Sequence, residues 1–476
     1  MTPIYINSIA PTPATVVNGK SLVKKGNFSN LKITADKVLL FGECAGSGKK
    51  AYFCSMDFID ESNPIPRCNC PSRQFPCKHV IGLLLAYVEG KQFEESDIPD
   101  EIATKREGTA KRAENKQKKL TEKRQDVDKP PTKAKITTAI KRFNMQLEGV
   151  ENAEKILESI IRTGLAGIDA RTRDAFQAQV TGLGNYHIKG IQAEFNELFL
   201  SMKEQAKNSE YSQSIEQLIL LRALLTKARE HLTAKKENSI LKLDTSSAIE
   251  EQIGHVWKLN ELNAYDCYIK DAKIIQLSFN VHNNPAKKEF VDQGLFICMS
   301  TGKIYTKKNY RPYKGVKYIV RDDSEFRAVL VEELYIYPGG MNPRIRFDKN
   351  TTDEIQPDDY TAIKKLACDD YIEMAKAVKN QIKAPLADKT PVALLSVSQI
   401  SAYKDSEGNN CVLIEDSKGK GQLLTGSNIN LLNLLNLNSL AGQAILVMYE
   451  NDRNTGLLTA RPLSVVTDSQ IVRLEY

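Results

Sequence analysis

Three cysteines and a histidine cluster in an otherwise cysteine-poor chain: Cys68, Cys70, Cys77 and His79. They read Cys-x-Cys, six residues, Cys-x-His. Three thiolates and one imidazole are a complete tetrahedral donor set for Zn²⁺. Cys68 and Cys70 can share one side of an extended strand, or both can point into a tight turn. Cys77 and His79 open a helix, where backbone N–H groups and the helix dipole favour thiolate. Pro76 suits that first turn. Four protein donors leave no open position for water, so the expected zinc is structural rather than catalytic. Buried core cysteines are the alternative, but the neighbours are Pro, Asn, Ser and Arg rather than apolar residues. Three thiolates on Zn²⁺ carry a net negative charge, and Arg67, Arg73 and Lys78 stand close enough to offset it.

The elements around this cluster read as a multidomain α+β chain. Residues 1–100 form a small α+β unit, with the finger at about 50–90. Val38-Leu39-Leu40-Phe41 and Tyr52-Phe53 read as strands around a Gly46-Ser47-Gly48 turn. Val80, Leu83, Leu84 and Tyr87 recur at helical spacing, with Gly90 as the stop. Residues 101–136 are a basic flexible linker with a transient helix near 113–124. They hold too few apolar residues to offset the entropy of ordering. Residues 137–238 are a helical bundle. Val150, Ala153, Ile156, Leu157, Ile160 and Ile161 make one apolar face, and Ile215, Leu218, Leu221, Leu225 and Ala228 another. Phe195, Leu198 and Met202 mark a helix between them. Residues 239–385 form an α+β domain with strands around 274–279, 294–297, 329–331 and 334–337, then a helix from Tyr360 to Val378. Residues 386–476 form a small β-rich domain, a barrel or sandwich. The C-terminal half is thus β-rich, and no internal repeat stands out.

The cysteine and histidine pattern resembles the SWIM zinc finger. The longer string Phe41-Gly42-Glu43-Cys44-Ala45-Gly46-Ser47-Gly48, then Cys70 to His79 and Gly82-Leu83-Leu84-Leu85, is similar to bacterial SWIM zinc finger family proteins. Glu250-Glu251-Gln252-Ile253-Gly254 matches the family's layout loosely. The resemblance implies a ββα finger with Cys68, Cys70, Cys77 and His79 as ligands, binding DNA or other proteins without catalysis. Bacterial members are associated with MoxR-type AAA+ ATPases and von Willebrand A proteins, which implies a protein partner in an ATPase-linked assembly.

Gly46-Ser47-Gly48-Lys49-Lys50 fails the P-loop pattern: Glu43 stands where the first glycine belongs, and Lys50 follows Lys49. Cys44 and Cys54 could cap the zinc site or pair with each other, but read better as buried strand cysteines. His187, His231, His255 and His282 are isolated and read as structural. Tyr305, Lys307, Lys308, Tyr310, Arg311, Tyr313, Lys314, Lys317 and Tyr318 interleave aromatic and basic residues. That set could stack bases and neutralise phosphates. The plainer reading is a hairpin with Tyr on one face and solvated Lys on the other.

Charge and composition narrow the classes. The chain has 476 residues, with 66 Lys+Arg against 59 Asp+Glu, a net +7. Residues 105–135 alone carry 12 basic and 5 acidic residues, the whole surplus. The rest is neutral, which argues against nucleic-acid binding by charge alone. The longest apolar run, Val80 to Val88, is nine residues, against about 20 for a membrane span. No basic region precedes an apolar stretch at Met1-Thr2-Pro3-Ile4-Tyr5-Ile6. The expectation is a cytoplasmic, non-enzymatic zinc adaptor or scaffold with no small-molecule substrate. It presents the Ser72–Phe75 loop and the helix His79–Tyr87 to a protein partner, contacted by Arg67, Arg73 and Lys78. DNA or RNA binding through the finger and basic linker is the alternative.

Overall fold

The computed structural model describes residues 3–46, 50–59, 64–72, 75–108, 132–205, 211–285, 287–315, 319, 321–404, 408, 410–432, 434–435, 437–451 and 456–475. Contacts divide the chain into two compact units, 1–119 and 120–476. The segments 137–238, 239–385 and 386–476 share the second unit. The stretch 101–136 is helical at both described ends, over 100–108 and from Lys133 onward. The expected transient helix at 113–124 lies outside the described residues.

In the first unit, α1 (Pro3–Ile9) and α2 (Pro13–Lys24) precede four strands: β1 (Phe28–Ile33), β2 (Leu39–Cys44), β3 (Tyr52–Asp57) and β4 (Ile65–Cys68). Then come α3 (Lys78–Val88), β5 (Glu94–Glu95) and α4 over 100–108. The sheet order is β4-β3-β2-β1-β5, with β5 parallel to β1. Strand alternation sorts the side chains between two faces. Leu40, Cys44, Cys54 and Met56 join the core under α2 and α3, whereas Leu39, Phe41 and Phe53 pack with Ile102 of α4. Helices α2 and α3 approach closely at Gly82. A Cβ there would come 2.7 Å from the Phe28 ring and 3.3 Å from the Gly19 carbonyl oxygen.

The second unit opens with the bundle α5 (Lys133–Thr163), α6 (Ala170–Gly182), α7 (Lys189–Gln205) and α8 (Ser212–Glu237). Two of the residues expected in its core are not there. Ile161 and Ile215 are 54% and 49% exposed. The buried row of α8 is instead Leu221, Leu224, Leu225, Ala228 and Leu232, which together with Val150, Leu157 and Phe195 fills the core. Short helices α9 (Ile249–Ile253) and α10 (Leu259–Ala264) join the bundle to the sheets. Here α7 begins almost in backbone contact with α9. A Cβ on Gly190 would lie 2.1 Å from the Gln252 carbonyl oxygen and 2.7 Å from its carbon. Backbone cannot swing aside as a side chain can, so Gly190→Ala forces the elements apart, at about 1–3 kcal/mol or more. Scanning calorimetry should show a clearly lower unfolding midpoint, and an unchanged one would refute this account of the packing.

The sheets form two barrels of one connectivity. The first uses β6 (Tyr268–Asn284), β7 (Glu289–Cys298), β8 (Ile304–Pro312), β9 (Ala328–Ile336) and β10 (Arg344–Arg346), with β11 (Asn350–Asp353) beside β9. Its hydrogen-bonded ring runs β6-β7-β8-β10-β9 and back to β6, with β8 and β10 parallel. Helices α11 (Pro357–Leu366) and α12 (Tyr371–Lys383) follow. They replace the single helix expected over Tyr360–Val378. The break comes where Cys368 forms a bridge to Leu395 and Asp370 caps α12, accepting from the Glu373 N–H at 3.0 Å.

The second barrel uses β12 (Val392–Ser396), β13 (Gln399–Lys404), β14 (Asn410–Glu415), β15 (Gly421–Leu424), β16 (Ala444–Asn451) and β17 (Leu458–Val466), with β18 (Ile471–Arg473) beside β17. The order is β12-β16-β17-β15-β14-β13, with β15 and β17 parallel. Strands β12 and β13 act as one bent strand. The Val397 N–H still bonds toward β16 at Gln443, and the next N–H, Ser398, bonds to Glu415 of β14. Strand β6 does the same, passing from β9 to β7 at Ile274. Numbered from their first strands, both barrels run 1-2-3-5-4, the connectivity of the five-stranded OB barrel. Between the third and fourth strands of the second barrel lies α13 (Asn428–Leu432).

Candidate metal centre

Strand pairing delivers the first two ligands. Cys68 ends β4 directly opposite Cys54, and the next N–H, Asn69, bonds to the Phe53 carbonyl at 3.2 Å. That bond holds the chain to the sheet as it turns inward to Cys70, which is 8% exposed. Cys77 is the N-cap of α3, extended at φ −78°, ψ 168°, and His79 sits in the first turn. Pro76 therefore precedes the helix instead of occupying its first position, in a cis Phe75-Pro76 peptide.

The four side chains converge. The Nδ1 of His79 lies 3.8 Å from the Cys68 Sγ and 3.8 Å from the Cys77 Sγ. All four candidate ligand atoms lie within 4.8 Å of one another. Bond lengths of about 2.3 Å to sulfur and 2.0–2.1 Å to nitrogen imply tetrahedral edges of roughly 3.5–3.8 Å. The cluster fits zinc in donor chemistry and in scale. Tyr52 packs its ring on His79, centroids 4.9 Å apart, and so fixes the imidazole's orientation.

The surroundings prepare the thiols for a metal. The adjacent Cys68 thiol, the His79 ring and the Val80 and His79 N–H groups pull the Cys77 thiol down to about 4. Sharing a proton with Cys77, and burial, push Cys68 upward. A bound zinc ion would take that proton's place and keep both sulfurs as thiolates. Cys44 and Cys54 are fully buried, free, and in the same core cluster as Cys70 and Cys77. Burial first, then the nearby Cys77, lifts the Cys44 thiol to about 11. Burial likewise raises Cys54. They line the centre as apolar packing.

The basic residues beside the ligands have separate roles. Arg67 is turned away from the metal cluster and is bound to the buried Asp57 carboxylate at 2.9 Å, so it does not offer a free guanidinium to a partner. Arg106 of α4 binds the same carboxylate, at 2.7 and 3.0 Å. Sequence reading missed this clamp because Arg106 lies 49 residues from Asp57. Arg73 lies outside the described residues. Lys78 is exposed and lines a cleft of about 620 Å³ with Asn18, Asn27 and Tyr52. Helix α3 presents no face to a partner, since His79 through Ala86 are all buried. Its residues are apolar nearly all round, and α2 and the sheet cover it.

The second unit redistributes the other candidates. Tyr305 lies inside the first barrel with Ala272 and Phe296. Two and six residues on, Lys307 and Arg311 share its side of β8. Lys307 pairs with Asp322 at 2.6 Å, and Arg311 with the fully buried Asp292 at 2.6 Å. The expected separation of Tyr and Lys onto two faces therefore fails, because barrel closure turns this whole row inward. His231 and His255 pair with Glu250 and Glu261, each at 3.2 Å.

The family model of the SWIM zinc finger matches residues 52–88. A comparison with curated proteins returned no match. No helix among the described residues is long and apolar enough to cross a membrane. The matched stretch runs from the first residue of β3 to the last of α3, the ββα unit that carries all four ligands. The N-terminal unit of this chain therefore contains a SWIM zinc finger, a zinc-binding module held by Cys68, Cys70, Cys77 and His79.

Proposed function

We propose that the chain is a non-enzymatic, cytoplasmic adaptor whose zinc-organised loop holds a protein partner. One observation carries the reading. Four protein donors converge on one point, and the loop between Cys70 and Cys77 leaves the aromatic Phe75 46% exposed. Such a centre has no position for a substrate or an activated water. Its work is to hold the surrounding backbone in shape, and an exposed aromatic beside such a centre suits a protein anchor. The partner class implied by the family resemblance is an AAA+ ATPase or a von Willebrand A protein.

Nucleic-acid binding is the second reading. Two barrels of OB connectivity favour it, since such barrels bind oligonucleotides on their second and third strands. The pairing of Lys307 and Arg311 with Asp322 and Asp292 weighs against it.

Affinity capture with the full chain separates the two. Phe75→Ser should retain one equivalent of zinc yet lose a stoichiometric protein partner that survives nuclease treatment. Capture of nucleic acid instead, with a steep loss of affinity in salt, would replace the adaptor reading with the second.

A further inference from the structure

Two cysteines face each other across the sheet that carries the zinc centre. Cys54 of β3 is paired with the ligand Cys68 of β4, and both pack in the core under α2 and α3. We propose that this pair is a site of reversible oxidation: a disulfide between Cys54 and Cys68 takes away one zinc ligand, so metal and disulfide exclude one another. The switch needs only the zinc centre and does not depend on the adaptor reading.

Strand register carries the inference. The Asn69 N–H bonds to the Phe53 carbonyl, so Phe53 and Asn69 are a hydrogen-bonded pair and the adjoining Cys54 and Cys68 are not. Opposed residues of that second kind have Cα atoms about 4.5 Å apart and side chains on one face. A disulfide spans about 4.4–6.8 Å between Cα atoms, so the backbone is already in place. Cys44 does not compete. It stands opposite Tyr52, and Cys54 opposite Gly42. The two are therefore diagonal neighbours at about 7–8 Å, where a bridge needs backbone movement. Cys70 and Cys77 belong to the loop and the helix cap, and no strand pairing sets their spacing from Cys68. At rest the Cys54 thiol donates to the Gly42 carbonyl at 3.5 Å. Rotation about χ1 to another staggered well frees it for Cys68.

Exposure divides the roles. Cys68 is the least buried of the four ligands, whereas Cys54 is fully buried. Cys68 therefore meets the oxidant, a hydroperoxide, and Cys54 resolves the product. The Cys68 thiolate attacks one peroxide oxygen, the O–O bond breaks and hydroxide leaves, giving a sulfenic acid. The Cys54 thiol then attacks that sulfur, and the sulfenic hydroxyl departs as water with the Cys54 proton. The two sulfurs have given up two electrons, and the peroxide has become hydroxide and water. Cys70, Cys77 and His79 remain, one donor short of a closed tetrahedral site.

The test treats the zinc-loaded full chain with hydrogen peroxide. A chromogenic chelator reads released zinc, and non-reducing peptide mapping reads the linkages. One equivalent of zinc should leave as the Cys54–Cys68 link accumulates, and dithiothreitol with added zinc should restore it. Cys54→Ala keeps all four ligands and should still bind one equivalent. Without its resolving thiol the Cys68 sulfenic acid persists, so dimedone labelling of Cys68 should rise at least tenfold over the parent. Mapping of the parent decides the linkage even if this variant folds poorly. A main link from Cys68 to Cys70 or Cys77, a link between Cys44 and Cys54, equal dimedone labelling in parent and variant, or a full equivalent of zinc kept by the linked chain would overturn the proposal.

Discussion

Cys77→Ser should purify with well under one equivalent of zinc, against one in the parent chain. Serine is chosen because it separates metal loss from helix loss. Cys77 is the N-cap of α3, with the His79 and Val80 N–H groups facing its thiol. Serine is among the best N-cap residues and can accept from the same donors. Any destabilisation in the variant is therefore lost coordination, and if anything an underestimate. The effect should be large, since structural zinc supplies apparent binding energy of about 10–16 kcal/mol in small finger peptides. It should also be local. In an isolated finger the metal is nearly all the core. Here α3 also packs on α2, and Ile6, Leu40, Met56, Leu83 and Leu84 are buried around it. Hydrogen exchange should rise steeply over 64–79, and less over the rest of α3. Metal analysis with exchange mass spectrometry reads both quantities. A full equivalent of zinc in Cys77→Ser would remove Cys77 from the ligand set.

What the sequence disclosed follows the distance over which each feature is determined. The zinc centre is local: ligands within 12 residues, on a strand end, a loop and a helix start, announce themselves by type and spacing. Strand positions such as 274–279 and 294–297 were legible because their apolar runs are short and bounded. Barrel order was not, because it depends on pairings between distant strands. Thr306 lies beside Arg344 in a parallel pair, and Leu424 beside Ala460. No local pattern encodes which distant edge a strand will meet. The repeated 1-2-3-5-4 order was hidden for the same reason, since the two barrels share connectivity without sequence likeness.

The misread elements have equally specific causes. Tyr305, Lys307 and Arg311 alternate as an amphipathic strand should, but the reading assumed water on one face. Ion pairs with Asp322 and Asp292 allow cationic side chains on the inward row. The apolar periodicity of Tyr360–Val378 continues through 367–370, and the interruption shows in the Cys368–Leu395 bridge and the Asp370 cap. Arg67 looked like a free charge beside a metal, because its partner carboxylate is ten residues away and the second arginine is further still.

That clamp supports the other large expectation: Asp57→Ala should destabilise the N-terminal unit without removing a zinc ligand. Asp57 is fully buried and binds Arg67, Arg106 and the Ile59 N–H. Deleting it leaves two mostly buried guanidiniums uncompensated. Removing one partner of a buried ion pair costs about 3–5 kcal/mol. The clamp also ties β4, which ends on Cys68, to α4 on the opposite face of the sheet. The sign of its pH dependence follows from the same contacts. Burial pushes the Asp57 carboxyl up, but Arg106, Arg67 and the Ile59 N–H outweigh it, and the net displacement is downward. A carboxyl depressed by folding stabilises at every pH above its unfolded value, about 3.9. That contribution disappears as pH falls through the lower folded value. Zinc leaves earlier, because its thiolate and imidazole ligands take up protons at milder acidity. Acid titration of the parent should therefore show zinc release first, read by a chromogenic chelator, and loss of amide protection in β3 and α4 only below about pH 4. In Asp57→Ala the protection should already be weak at neutral pH, with no separate acid step. Should both proteins lose that protection at the same pH, the carboxylate is not what holds α4 to the sheet.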